Sequence, residues 1–156
     1  MTSHPTSATS HAAFDEERQH WITVRVYYED TDFTGMVYHA NYLRFFERGR
    51  SDFLRDAGVS HQALLDRPDP AAFTLVRAEV DFKRAAKVDD LLRIGTRMMG
   101  GKGARMVFNQ TCWRGDEIIA EAAITAVMIH ADGRPRRPVP EMTNMLRDYL
   151  YEPTNG

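Results

Sequence analysis

Residues 27–50 read YYEDTDFTGMVYHANYLRFFERGR, and the change of period across this stretch decides the fold. Leading into it, over 22–29, Ile22, Val24, Val26 and Tyr28 face one way and Thr23, Arg25, Tyr27 and Glu29 the other. That is the period-two pattern of a half-buried strand. Over 39–57 the period lengthens. Tyr42, Phe45, Phe46, Gly49 and Phe53 fall on one helical stripe, while Arg44, Glu47, Arg48, Ser51, Asp52 and Arg55 lie largely off it. Gly58 stands where a helix C-terminal glycine belongs. Between strand and helix come Asp30, Asp32, a Gly-containing turn and His39. This order brings a carboxylate, an imidazole and the unbonded amides of a helix start within reach of one another. Such a group activates water or attacks a carbonyl while the amides hold the developing oxyanion.

Working outward, the spacing predicts a short helix over 60–66, then a break at Arg67-Pro68-Asp69-Pro70. Strands follow over 73–82, 91–99, 104–113 and 118–130. In the first of these, Thr74, Val76, Ala78, Val80 and Phe82 are expected on one face. The connectors over 87–90, 100–103 and 114–116 are too short for crossover helices and favour antiparallel hairpins. A terminal helix is expected over 141–150. The result is an α+β domain, an antiparallel five-stranded sheet wrapped around one long central helix. The expected organisation is a disordered tail over 1–18, a single domain over 19–151 and a short tail over 152–156. A curved single-layer sheet leaves free edges. Edge-to-edge pairing of two copies then predicts a homodimer or homotetramer with sites at the seam.

With 156 residues the chain is long enough for one real core. A hydrophobic fraction of 43% and a charged fraction of 27% are ordinary for a soluble globular protein, and with a net charge of −2 no basic field points to nucleic acid. The one cysteine, Cys112, cannot form an internal disulfide or a cysteine-based metal site; it is expected to be a buried, inert thiol. No apolar run approaches the roughly 20 residues of a membrane span. The polar N-terminus lacks the apolar stretch of a signal peptide, so a cytoplasmic location is expected. The Asp30–Asp32 pair has no second acidic cluster to complete a metal site, and no metal or cofactor is expected.

The longer stretch YYEDTDFTGMVYHANYLRFFERGRSDFLR closely resembles the hotdog-fold acyl-CoA thioesterases of the 4-hydroxybenzoyl-CoA thioesterase group. More narrowly, it resembles the bacterial branch associated with the Tol–Pal cell-envelope system. A weaker likeness continues through FTLVRAEVDFKRAAKVDDLLRI and covers about 21–139. The resemblance implies a hotdog fold and hydrolysis of acyl-CoA to free acid and coenzyme A. It places the catalytic carboxylate on Asp32, a histidine on His39 and a tyrosine on Tyr28, with a backbone amide at the helix start polarising the thioester carbonyl. The 4-hydroxybenzoyl branch has a tyrosine where His39 stands.

On chemical grounds Asp32 either attacks directly to give an anhydride or serves as general base toward water. His39 orients that water, bonds Asp32 or helps move the proton. Asp30 is expected to be structural. Phe45 and Phe46 are expected in the core and, secondarily, as walls of an acyl pocket. Cations recur at Lys83, Arg84, Lys87, Arg93, Arg97, Lys102 and Arg105. Of these, Lys102 in its glycine-rich turn and the nearby Arg105 are the candidates for the phosphates of coenzyme A or of an acyl carrier protein. Two other functions fit the same residues: a non-hydrolytic hotdog dehydratase acting on acyl thioesters, and an interaction module that binds acyl carrier protein.

Overall fold

The helical stripe becomes α1 (Asn41–Asp56), and every residue expected on it is buried: Tyr42, Phe45, Phe46, Gly49 and Phe53. Burial of each large side chain contributes roughly 1.5–3 kcal/mol. The structure, a computed structural model, describes residues 13–100 and 103–152. Around α1 curls a sheet of β1 (His20–Arg25), β2 (Ala71–Phe82), β3 (Leu91–Met99), β4 (Arg105–Arg114) and β5 (Glu117–His130), in the order β1-β3-β4-β5-β2. These five strands pair antiparallel throughout. A two-residue β6 (Leu150–Tyr151), not anticipated, pairs parallel with the end of β3. The short helices are α2 (His61–Leu65), capped by Ser60 Oγ accepting from the Ala63 amide at 3.2 Å, and α3 (Pro140–Leu146).

Gly49 sets how closely α1 lies on the sheet. A Cβ there would stand 2.8 Å from Thr96 Oγ1 and 2.9 Å from Gln110 Nε2, so the close approach requires glycine.

Three details depart from the expected pattern. The first strand ends at Arg25 instead of continuing to 29. Asp30 accepts the Tyr27 amide at 2.8 Å and winds Tyr28–Asp30 into a 3₁₀ turn, which points Tyr28 outward, 85% exposed. In β2 the register with β5 shifts between Leu75 and Arg77. The extra residue, Val76, flips the alternation: Phe73 and Leu75 pair with the inward Met128 and Ala126, then Ala78, Val80 and Phe82 take the inner face. Thr74 and Val76 are therefore not on the face expected for them. Finally, Phe14, within the stretch expected to be a tail, packs edge-on against Phe53 at 5.0 Å and bridges to His20. Residues 1–12 and 153–156 lie outside the described residues.

Candidate active site

Two tight turns carry the aspartates, and they use them differently. Asp30 is buried. Its backbone carbonyl accepts from the Tyr38 amide and from Asn41 Nδ2, both at 3.0 Å, so it ties the turn to the start of α1. This is the structural role expected for Asp30. Asp32 is exposed and closes the next turn. Its amide donates to the Met36 carbonyl at 2.9 Å, and its carbonyl accepts from the Gly35 amide at 3.0 Å. Its Oδ1 accepts the Thr34 amide at 2.8 Å and also the Thr34 hydroxyl. Oδ2 accepts no hydrogen bond from any described residue. The Thr34 hydroxyl first, then the Thr34 amide, holds the Asp32 carboxyl below its ordinary range, with a smaller contribution from the nearby His39. Asp32 therefore combines the turn-former's use of one oxygen with a free, ionised second oxygen.

The loop carrying Asp32 is pinned to the segment after β2. Met36 bridges to Lys87, the Val37 amide donates to the Ala86 carbonyl at 2.9 Å, and the Ala86 amide donates to the Tyr42 hydroxyl at 3.0 Å. At the start of α1 the N-cap, Ala40, offers no side-chain cap. The first bonded amide of the turn is Asn41, donating to the Tyr38 carbonyl at 2.8 Å. The amides of His39 and Ala40 donate to no described residue. Such unbonded donors at a helix start attract negative charge. The exposed His39 ring stacks beside Tyr38 at 4.5 Å and meets the edge of Phe82, the last residue of β2, at 6.2 Å.

The other expected site residues fall elsewhere. Phe45 and Phe46 are fully buried in the core. Arg105, exposed at the start of β4, is at the opposite end of the sheet from Asp32, and Lys102 lies outside the described residues. The cations beside the Asp32 loop are instead Lys83, Arg84 and Lys87. Lys83 and Arg84 pair with Glu121 and Glu117 at 3.6 Å. Arg93 stacks over Trp21 at 4.8 Å. The expected basic cluster is thus dispersed and partly neutralised. Cys112 is buried and its thiol is pushed up to about 12, which makes it inert. Among the described residues no group of three His, Cys, Asp or Glu side chains is placed to hold a metal.

Comparison with known proteins gives the family. Residues 26–146 match the thioesterase-like superfamily. The chain belongs to it. It is 42% identical over 106 residues to an acyl-CoA thioesterase, YbgC, of Haemophilus influenzae, covering 68% of this chain and 77% of that one. A probable thioesterase from Bartonella henselae superposes with a TM-score of 0.75 at 41% identity, over 78% of this chain and 99% of that one. A 4-hydroxybenzoyl-CoA thioesterase, 20% identical, shares the fold with a TM-score of 0.74 over 82% of this chain and 98% of that one. The fold is the hotdog fold, and this member of the superfamily is an enzyme that hydrolyses thioesters. No helix among the described residues is long and apolar enough to cross a membrane.

One polar group escaped the sequence reading. Arg50 on α1 and Gln110 on β4 are both buried, with Arg50 Nη1 donating to Gln110 Oε1 at 3.1 Å. Both were findable. Arg50 follows Phe46 by four and precedes Phe53 by three, and Gln110 alternates in phase with Phe108 and Cys112. A charge or an amide on a core stripe is the signal.

Proposed function

We propose that the enzyme hydrolyses acyl-CoA to free acid and coenzyme A, with Asp32 as base or nucleophile and His39 assisting. One observation carries this reading. The ionised Asp32 carboxylate, its Oδ2 unoccupied by any described donor, lies near enough to His39 to be influenced by it, and the amides of His39 and Ala40 at the start of α1 are unbonded among the described residues. The thioester carbonyl oxygen sits at the amides of His39 and Ala40. Asp32 either deprotonates water as it adds to the carbonyl carbon or adds itself and is released by water. The tetrahedral oxyanion is held by the amides, then collapses with cleavage of the C–S bond, and the thiolate leaves with little acid assistance. Tyr28, exposed on the adjoining 3₁₀ turn, contacts the same substrate. His39, standing where the 4-hydroxybenzoyl branch has tyrosine, supports placement in the Tol–Pal-associated branch, with a cytoplasmic location and acyl carrier protein as a second possible acyl donor.

The active species is proposed to be a homodimer or homotetramer. The outer edge of β2 pairs with no described strand, and Leu75, Val76 and Phe82 along it are 46%, 50% and 50% exposed. Phe33, beside Asp32, is fully exposed. Apolar surface on a long free edge favours pairing of a second copy. Two β2 strands meeting antiparallel about a two-fold bring the end of one to the start of the other. Arg105 then approaches the coenzyme A phosphates from the second copy. Thiol release from short, long and aromatic acyl-CoAs and from an acyl carrier protein thioester tests the activity. Release from none of them rejects it, and light scattering showing a fully active monomer rejects the assembly.

A further inference from the structure

A cavity of about 170 Å³ opens between the end of β3, the start of β4 and α3. Its floor is apolar: Met98 from β3, Met106 from β4, and Met142 and Leu146 from α3, all members of the core. Its rim is cationic, formed by Arg105 at the start of β4 and Arg147 just after α3. Among the described residues no carboxylate lines it. Neither guanidinium forms an ion pair with a described residue. The Arg147 side chain donates only to a neutral acceptor there, Asn144 Oδ1 at 3.2 Å. Pairing of Leu150 with Met98 sets the 3₁₀ turn that carries Arg147 over the strand end. The cavity is remote from Asp32 in the same copy. The Val26 amide donates to the Asp90 carbonyl, so the chain leading to Asp32 leaves the sheet beside the start of β3. Met98 lies seven residues beyond Leu91 along β3, roughly 23 Å at the strand rise. On the other side, β5 separates β4 from the β2 edge.

We propose that this cavity is a binding site for free short-chain carboxylates, separate from the reaction centre, with the apolar tail on the methionines and the carboxylate held at the rim by Arg147 and Arg105. Charge and polarity select that occupant. The floor takes hydrocarbon, two cations without acidic partners attract an anion, and the planar fork of a guanidinium matches the two oxygens of a carboxylate. The volume is close to the roughly 150 Å³ that accommodates one benzene ring, so a tail of about six carbons fills it. Methionine side chains are unbranched and adjust to irregular shapes, which suits a flexible alkyl tail. The free acids released by the proposed hydrolysis belong to this class, so accumulating product occupies the site. That link rests on the thioesterase reading; the binding itself does not.

Isotope-labelled methionine methyl groups make the cavity floor its own probe. NMR titration of the full-length protein with butanoate, hexanoate, decanoate, hexylamine and hexanol, with no thioester present, reads position and affinity together. Hexanoate should shift the methyls of Met98, Met106 and Met142 far more than that of Met36 in the Asp32 turn. Affinity should rise about fourfold per methylene from butanoate to hexanoate, the worth of one buried CH₂, and level off before decanoate. Hexanol should bind roughly 10–100-fold more weakly than hexanoate, the range for hydrogen bonds to a charged group, and hexylamine more weakly still. Arg147→Gln should weaken hexanoate by a similar factor and leave hexanol unaffected. Arg105 is also proposed to meet coenzyme A phosphates, so Arg147 carries the test. Thr143→Phe, at an exposed position on the rim, should fill the mouth and abolish binding of both. Shifts at Met36 with the three floor methyls unmoved overturn the proposal. So does equal affinity for hexanoate and hexylamine, or hexanoate binding unchanged in both variants. Affinity that keeps rising through decanoate overturns the size argument. Absence of thiol release from every acyl-CoA, with hexanoate binding intact, removes the thioesterase reading and the product link but not this site.

Discussion

At its C-terminal end α1 is closed by returning amides: Val59 donates to the Leu54 carbonyl at 2.7 Å and Gly58 to the Arg55 carbonyl at 3.0 Å, with Gly58 at φ +100. That double bond satisfies carbonyls the helix would otherwise leave open, and Phe53 and Leu54 are buried beneath it. The N-terminal end is left open. Ala40 supplies no cap, the amides of His39 and Ala40 have no described acceptor, and aromatic side chains around Asp32 stand in solvent. A helix end without a cap forgoes about 1 kcal/mol. Here the same groups are the ones a thioester oxyanion needs. One end of the helix is built for stability, and the proposed mechanism uses the other for binding.

The comparison breaks most visibly at Asp32. Asp32→Asn should lower kcat by roughly 10²–10⁴, the usual contribution of an acid–base group, while the melting transition stays in place. Asp30→Asn should do the reverse, retaining most of the rate and weakening the fold through the Tyr27 contact. Steady-state kinetics and thermal melts on the pair decide it; equal rate losses would remove Asp32 from its role. His39→Ala should cost less than Asp32→Asn and should change the shape of the pH–rate profile. An unchanged shape would leave His39 as a helix-start residue only.

Gly58→Ala probes the closed end. Placing a Cβ at positive φ costs about 1–2 kcal/mol, so denaturant midpoints should fall while kcat per folded molecule is unchanged. The smallest effect is expected at Thr34. Because the Asp32 carboxyl is held below its ordinary range, activity that needs its ionised form is retained above that lowered value and lost as pH falls through it. Thr34→Val removes the largest cause, so the acid limb should move to higher pH. No movement would mean that the acid limb belongs to another group.

Much of this contrast was legible in the sequence, because it rests on local periods. The stripe from Tyr42 to Phe53 fixes α1, and Gly58 marks its end. The turn chemistry between Asp30 and His39 marks its start. What was not legible depends on partners distant in the chain. Val76 reads as a regular strand residue until its pairing with β5 reveals one residue too many. Tyr28 reads as inward until the side chain of Asp30 captures the Tyr27 amide. His61 acquires meaning only when the chain folds back and sets it against Ser51 on α1. Arg50 was readable, as a charge on a core stripe.

The central claim is that Asp32 and the open start of α1 form one reaction centre for thioesters. Amide NMR shifts on binding a non-hydrolysable acyl-CoA analogue, in which a methylene replaces the thioester sulfur, test it most directly. The account predicts the largest shifts at the amides of His39 and Ala40, which have no described acceptor, with the Asp32 turn moving beside them. Large shifts elsewhere with those two amides unmoved would contradict it.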